Sequence, residues 1–392
     1  MKVNGFQAAA IAAGLRYQNR LDLGLIAADE PVAAAGVFTA NLVKAAPVLW
    51  SREKIALGRA RAILVNSGQA NACTGEKGLL TAAASARAVA RALGCLEDEV
   101  LLASTGVIGQ EVNLTALEKA VPALATGLEI DGLDQVARAM MTTDTRPKTA
   151  EATGYIDGRP FKVAGLAKGA GMIAPNMATM LGFILTDAAA DPGFLGRALK
   201  RAADASFNRI TIDGDTSTND CLLLLASGRA GHAPIVQENT PAAAEFEKVL
   251  ARVAGDLARM LVADGEGATK LVAVKVRGAA TEAQARTAAM TVANSPLVKT
   301  AIFGQDANWG RIMMALGRSG AEFDPDRVDV SVNDAPLVRS GQAAGDEADA
   351  ARVMRMAEFD LHIDLNAGPS AYEVLTCDFS IDYVKINADY RS

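Results

Sequence analysis

The chain has 392 residues, half of them hydrophobic and 21% charged, with a formal net charge of −6. A polypeptide of this size outgrows one hydrophobic core and divides into subdomains, and no apolar run reaches the roughly 18 residues that a membrane-spanning helix needs. Acidic and basic residues are interspersed, which excludes the basic footprint of a nucleic-acid partner, and two histidines in all argue against histidine triads and multi-histidine metal sites.

Residues 6–14 read as the first strand of a cytoplasmic protein. Their apolar part is short and mostly alanine, interrupted by Gln7 and followed at once by Arg16 and Arg20, unlike a secretory signal. Residues 22–27 and 62–66 are short apolar runs bounded by polar residues, as buried strands are. Residues 76–93 form an alanine-rich helical stretch stopped by Gly94. A strand over 99–103 then leads into Ser104-Thr105-Gly106-Val107-Ile108-Gly109, where Thr105-Gly106 reads as an ordinary strand-to-loop turn. Residues 114–128 and 133–141 read as helices, the second running into the polar stretch 142–148. The four cysteines (Cys73, Cys95, Cys221, Cys377) are far apart, form no CxxC pair, and read as buried free thiols.

The segment 167–181 joins a glycine-loosened loop, Lys168-Gly169-Ala170-Gly171, to a strongly apolar run through Ala178-Thr179. A threonine there can simply start a strand and bond to the backbone. If the Ala178–Thr179 bond is cut, however, Thr179 carries a free α-amine beside its own hydroxyl, so one residue supplies nucleophile and general base. An α-amine titrating near pH ~7.7–8.0 is largely available as a base at neutral pH. Gly169-x-Gly171 lacks the third glycine and acidic partner of a dinucleotide fingerprint.

Downstream, a strand over 181–185 precedes a helix from Pro192 to about Ser206. Residues 210–212 open onto the hydroxyl-rich turn 213–220, followed by the apolar run 221–226. His232, in Gly231-His232-Ala233-Pro234, reads as part of a surface turn. The longest helix spans 241–264, its stripe Phe246, Val249, Leu250, Val253, Leu257, Met260 and Leu261 following the 3/4 spacing of one buried face. Glu266 lies just past its end, before a strand over 270–276. From about Thr281 a smaller unit follows, with a helix over 282–291 and strands near 328–332, 361–365 (containing His362) and 372–386. The fold class is α/β (α+β): sheets layered with helices on both sides over the first two-thirds, and a compact α+β unit over the last third.

Taken in order, several pieces together resemble the ornithine acetyltransferase/glutamate N-acetyltransferase family of arginine biosynthesis. They are 5–14, Asn66 to Gly75, Ser104 to Gly109, Met141-Thr142-Thr143-Asp144-Thr145, Lys168 to Leu181, Asp213 to Asp220, Gly304-Gln305-Asp306-Ala307-Asn308-Trp309-Gly310-Arg311 and Ile386 to Ser392. The resemblance implies a precursor that cuts itself between Ala178 and Thr179 into an α chain (1–178) and a β chain. Residues 179–280 would complete a helix-sheet-sheet-helix core like that of self-processing aminopeptidases. Residues 281–392 would form a smaller domain whose tail returns to the site. Two α and two β chains would make a heterotetramer in the cytoplasm.

The resemblance further implies that Thr179 carries an acetyl group from N-acetylornithine to glutamate. The Thr105 hydroxyl and Gly106 N–H would form the oxyanion pair, with Thr142, Lys168, Thr179, Glu266, Asn387 and Ser392 contacting substrate. Thr143 or Thr145 could serve in place of Thr142. Read without the family, Thr142 is a helix C-terminal turn, Lys168 a solvated loop lysine and Glu266 a solvated residue after a helix. No cofactor and no metal is required; acetyl-CoA as a second acetyl donor is left open. Two rival readings use the same residues differently. One is a self-processing N-terminal-threonine amidase or aminopeptidase that gives the acyl group to water, the other a metabolite-binding protein that never cuts itself.

Overall fold

The computed structural model describes residues 1–174 and 180–389. Ala178, Thr179 and Ser392, which the sequence singles out, lie outside the described residues. The chain divides into two compact units: Met1–Asn208 with Asp215–Leu261, and Arg209–Gly214 with Val262 onward.

In the first unit, one sheet is built from β1 (Phe6–Ile11), β2 (Leu23–Phe38), β3 (Arg59–Gln69), β4 (Val100–Val107), β5 (Lys148–Ile156), β6 (Arg159–Lys168), β7 (Leu181–Thr186) and β9 (Cys221–Ala226), while β8 (Ile210–Thr211) belongs to the second unit. The order is β4-β3-β2-β9-β7-β6-β5, with β1 on β2. β7 and β9 run parallel, from Leu181 opposite Cys221 to Thr186 opposite Ala226, and every residue of both is buried. That explains their uninterrupted apolar sequence, since a central strand covered on both faces has no solvent side to alternate with.

The covering helices are α1 (Ala46–Ile55), α2 (Gly75–Leu93), α3 (Leu114–Thr126), α4 (Leu133–Ala139), α5 (Pro192–Ala205) and α6 (Pro241–Ala263). Leu133, Val136 and Met140, at and just past α4, join Leu166, Phe183, Leu185, Leu223 and Leu225 in one core. Val89 of α2 and Leu117, Val121 and Leu124 of α3 pack on Leu25, Leu64 and Leu102 in another. α6 approaches β6 closely at Gly165, where a Cβ would stand 2.7 Å from Leu257 and 3.1 Å from Val253.

The second unit holds a sheet of β10 (Leu271–Ala279), β11 (Asp329–Val332), β12 (Ala335–Arg339), β13 (Gln342–Ala343), β14 (Glu358–Asp364), β15 (Ser370–Cys377) and β8, in the order β13-β12-β11-β14-β10-β15-β8. Its helices are α7 (Glu282–Ala293), α8 (Pro296–Phe303), α9 (Trp309–Gly317), α10 (Glu347–Met354) and α11 (Ile381–Asp389). Ala285, Ala288, Ala289 and Val292 of α7 bury their small side chains against Val272, Val274, Val276 and Val374. The fold is thus mixed α/β with two sheets and helices, the class expected from the sequence. No helix of the described residues is long and apolar enough to cross a membrane.

Four expectations are corrected. The strand expected over 372–386 stops at Cys377, and residues 381–389 are helical; the Ser380 Oγ accepts from the Asp382 and Tyr383 amides, capping a helix start. Thr105 and Gly106 lie inside β4 rather than after it. His232 is buried, with Ala189 N–H donating to Nε2 and the Ala233 carbonyl on Nδ1. Of the four cysteines, Cys221 and Cys377 are buried, whereas Cys73 is exposed and Cys95 half-buried.

Candidate active site

Lys168 is the last residue of β6 and sits opposite Leu181, the first residue of β7. Its side chain is not solvated: the residue is buried, and Nζ donates to the Thr142 hydroxyl at 2.9 Å and the Thr105 hydroxyl at 3.1 Å. These partners are 26 and 63 residues away in sequence. β4 brings Thr105, and the chain leaving α4 brings Thr142. Each hydroxyl oxygen accepts from Lys168 and so keeps its own proton to donate elsewhere. The cluster is therefore one ammonium and two hydroxyl donors, an arrangement able to hold a carboxylate or stabilise a developing oxyanion. Among the threonines at 142, 143 and 145, Thr142 accepts from Lys168 through its hydroxyl.

Beneath this cluster lies Asp144, which the sequence reading did not single out. Its carboxylate accepts from Lys148 Nζ at 2.6 Å, Gly169 N–H at 2.7 Å and Thr142 N–H at 3.0 Å, and lies 3.9 Å from Lys168 Nζ. Burial pushes the carboxyl up, but the Lys168 and Lys148 ammoniums outweigh it and hold the pKa at about 2. Asp144 is therefore ionised and ties the loop after α4 to the end of β6. Its sequence signal was faint: a lone Asp-x-x-x-Lys in a polar stretch, without a helix to give that spacing meaning.

Asn219 clamps the end of β4 from the other side, donating to the carbonyls of Ala70 at 2.6 Å and Ser104 at 2.8 Å. Next to it Asp220 is fully buried. Burial pushes its carboxyl well above the carboxylate range, against the pull of Ser217, Lys168 and Met180. Its Oδ2 has no hydrogen-bond partner among the described residues.

Gly106 adopts φ +130° opposite Gly68, and a Cβ there would fall 2.3 Å from the Gly68 carbonyl carbon and 2.7 Å from the Gln69 nitrogen. Backbone atoms cannot rotate aside, so Gly106→Ala is expected to cost roughly 1–3 kcal/mol in strain. A lower urea midpoint at unchanged slope checks this; an unchanged midpoint would contradict it.

In the second unit Glu266 is also buried rather than solvated. Asn387 on α11 donates to its Oε2 at 2.7 Å and to the Tyr383 carbonyl at 3.0 Å. Gly267, at φ +68°, lets the turn touch α11, since a Cβ would sit 2.5 Å from the Tyr383 nitrogen. Asp378 fixes the far side of the turn by accepting from the Thr269 N–H and hydroxyl and the Lys270 N–H. A carboxylate presented this way suits a primary ammonium. Among the described residues, no three His, Cys, Asp or Glu side chains are grouped as metal ligands would be.

Residues 7–392 match the model of the ArgJ family. The chain is 51% identical over 394 residues, covering 100% of both chains, to the arginine biosynthesis bifunctional protein ArgJ of Geobacter sulfurreducens. It is also similar to the crystal structure of the arginine biosynthesis bifunctional protein ArgJ from Bacillus halodurans, at 40% identity and a TM-score of 0.51, over 53% of this chain and 98% of that one. The ornithine acetyltransferase of Mycobacterium tuberculosis, solved with ornithine, is 41% identical over 45% of this chain and 94% of that one, at a TM-score of 0.41.

Proposed function

The chain belongs to the ArgJ family, and from that membership we propose that it moves the acetyl group of N-acetylornithine to glutamate through an acetyl-threonine at Thr179. The observation that carries the reading is identity of 51% along the whole length of a relative named as a bifunctional protein of arginine biosynthesis.

The precursor first cuts itself. The Thr179 hydroxyl attacks the Ala178 carbonyl, the peptide nitrogen leaves as the new α-amine, and water opens the resulting ester. The solved relative supports this step: 98% of its chain is matched by only 53% of this one, so that polypeptide is about half as long. In the mature enzyme the Thr179 oxygen attacks the acetyl carbonyl while its α-amine takes the proton. The Thr105 hydroxyl and Gly106 N–H stabilise the oxyanion, and Lys168, bonded to Thr105, increases that hydroxyl's strength as a donor. Lys168 and Thr142 hold the substrate α-carboxylate. Glu266, with Asn387, takes the ornithine δ-ammonium, and Ser392 serves as a further substrate contact. Ornithine departs, and the glutamate amine attacks the ester to give N-acetylglutamate.

The exchange trades an amide for an amide and needs no cofactor or metal. Acetyl-CoA, whose thioester is a more reactive acyl donor, serves as a second donor in the bifunctional case. The two chains remain together as a heterotetramer of two α and two β, in the cytoplasm.

The test is to incubate the protein with N-acetylornithine, with and without glutamate, and follow both products by mass spectrometry. N-acetylglutamate appearing one-for-one with ornithine is expected. Acetyl release that ignores glutamate would overturn the transferase reading in favour of the amidase.

A further inference from the structure

The segment between β1 and β2 carries Arg16, Tyr17 and Arg20. The Arg20 Cζ lies 4.7 Å from the centre of the Tyr17 ring and the Arg16 Cζ 5.8 Å from it. Arg20 Nη2 donates to the carbonyls of Met141 at 2.5 Å and Thr142 at 3.4 Å. Arg16 Nη1 donates to the Gly68 carbonyl at 3.0 Å. Backbone carbonyls neutralise no charge, and among the described residues neither guanidinium forms an ion pair with a carboxylate. Two like charges are thus gathered on one aromatic ring without a counter-charge among the described residues, a repulsion that a bound anion relieves.

Their anchors place them at the site. Thr142 receives Arg20 on its carbonyl and Lys168 on its hydroxyl, so two cations share one residue. Gly68, which receives Arg16, is the register partner of Gly106. Each guanidinium also retains N–H donors beyond those used on the backbone, in the planar fork that suits a carboxylate.

We infer that Arg20, assisted by Arg16, binds the side-chain carboxylate of the acceptor amino acid and so selects glutamate. This rests on the proposed function. Glutamate carries two carboxylates where ornithine carries one and an ammonium. Lys168 accounts for one of these anions, and the second requires a cation that the departing ornithine has no use for.

The experiment compares glutamate with glutamine, its neutral isostere, as acceptor for acetyl transfer from N-acetylornithine. In Arg20→Gln the glutamate-to-glutamine ratio of kcat/KM is expected to fall about 10–100-fold, mainly through KM for glutamate. Arg20→Lys, which keeps the charge without the fork, retains the larger part of the ratio. Arg16→Gln, at an exposed position, lowers the ratio by a smaller factor and decides the matter alone if Arg20→Gln does not fold. An unchanged ratio overturns the inference. So does a parallel loss with both acceptors, which would mark Arg20 as a support for the loop at 141–142 or as a ligand of the α-carboxylate. A wild-type protein that fails to acetylate glutamate overturns the proposed function itself; one that acetylates it normally while the variants keep its ratio overturns this inference alone.

Discussion

Thr179→Ala is expected to give a single polypeptide of 392 residues in denaturing mass spectrometry, whereas the wild type is expected to give fragments 1–178 and 179–392. Under the proposed mechanism the same substitution removes the atom that carries the acetyl group, so exchange between N-acetylornithine and glutamate is expected to fall by at least about 10⁴-fold, the scale seen when a covalent nucleophile is deleted. Thr179→Ser keeps both hydroxyl and latent amine, so it still cuts and still transfers, more slowly. The described residues that follow are firmly held. Met180 accepts from the Cys221 N–H at 3.0 Å, and the wholly buried β7 begins at Leu181. New chain ends usually fray, but here a central strand begins two residues on. A wild-type protein that is active as one unbroken chain, or Thr179→Ala that exchanges acetyl normally, would refute the assignment.

Asp144→Asn is the second large effect, and it acts on stability. The asparagine preserves shape but removes the ionised partner of two buried ammoniums. Breaking a buried pair on one side costs about 3–5 kcal/mol, to be read as a lowered urea midpoint. The pH dependence follows from the shift. The Asp144 pKa is about 2 in the folded protein and near ~3.9 when unfolded. Its contribution is present above pH ~4 and is lost as the pH falls through the folded value, in total about 2.6 kcal/mol. Asp220 acts in the opposite sense: with its folded-state pKa raised, its contribution is full below the unfolded value and lost as pH rises through the folded one. The difference between wild type and Asp144→Asn isolates Asp144, and it should shrink by about 2 kcal/mol between pH 5 and pH 2. A difference independent of pH would mean that Asp144 is not held ionised by its two lysines.

Much of the first unit was legible because burial leaves a periodic trace. The runs at 181–185 and 221–226 were read as apolar segments and are the central pair β7 and β9. The 3/4 stripe of 241–264 corresponds to α6, where Phe246, Leu250, Val253, Leu257 and Leu261 are fully buried. Where structure and sequence pattern diverge, local turn and cap chemistry is the reason. Asp157-Gly158 is a hairpin turn with both residues at positive φ, joining β5 to β6. That hairpin puts Lys168 at a strand end rather than in a loop. Ser380 is a helix cap, and it makes residues 381–389 helical despite their strand-like pattern.

The candidate site divides in the same way. The resemblance to the family singled out Thr105, Thr142, Lys168, Glu266 and Asn387, whereas their local sequence alone reads as turns and solvated side chains. Their partners were beyond its reach. The bond from Lys168 to Thr105 spans 63 residues and that from Asn387 to Glu266 spans 121, and no local pattern encodes which distant strand or helix will lie alongside. Tertiary structure alone decided that Asp144 and Lys148 form a buried pair, that Glu266 is shielded, and that Arg16 and Arg20 stand beside Thr142 and Gly68 with no carboxylate among the described residues. The physical reason is that charge and hydrogen-bond energies depend on distance and burial, which only the folded chain fixes, whereas core periodicity follows from the geometry of a single helix or strand.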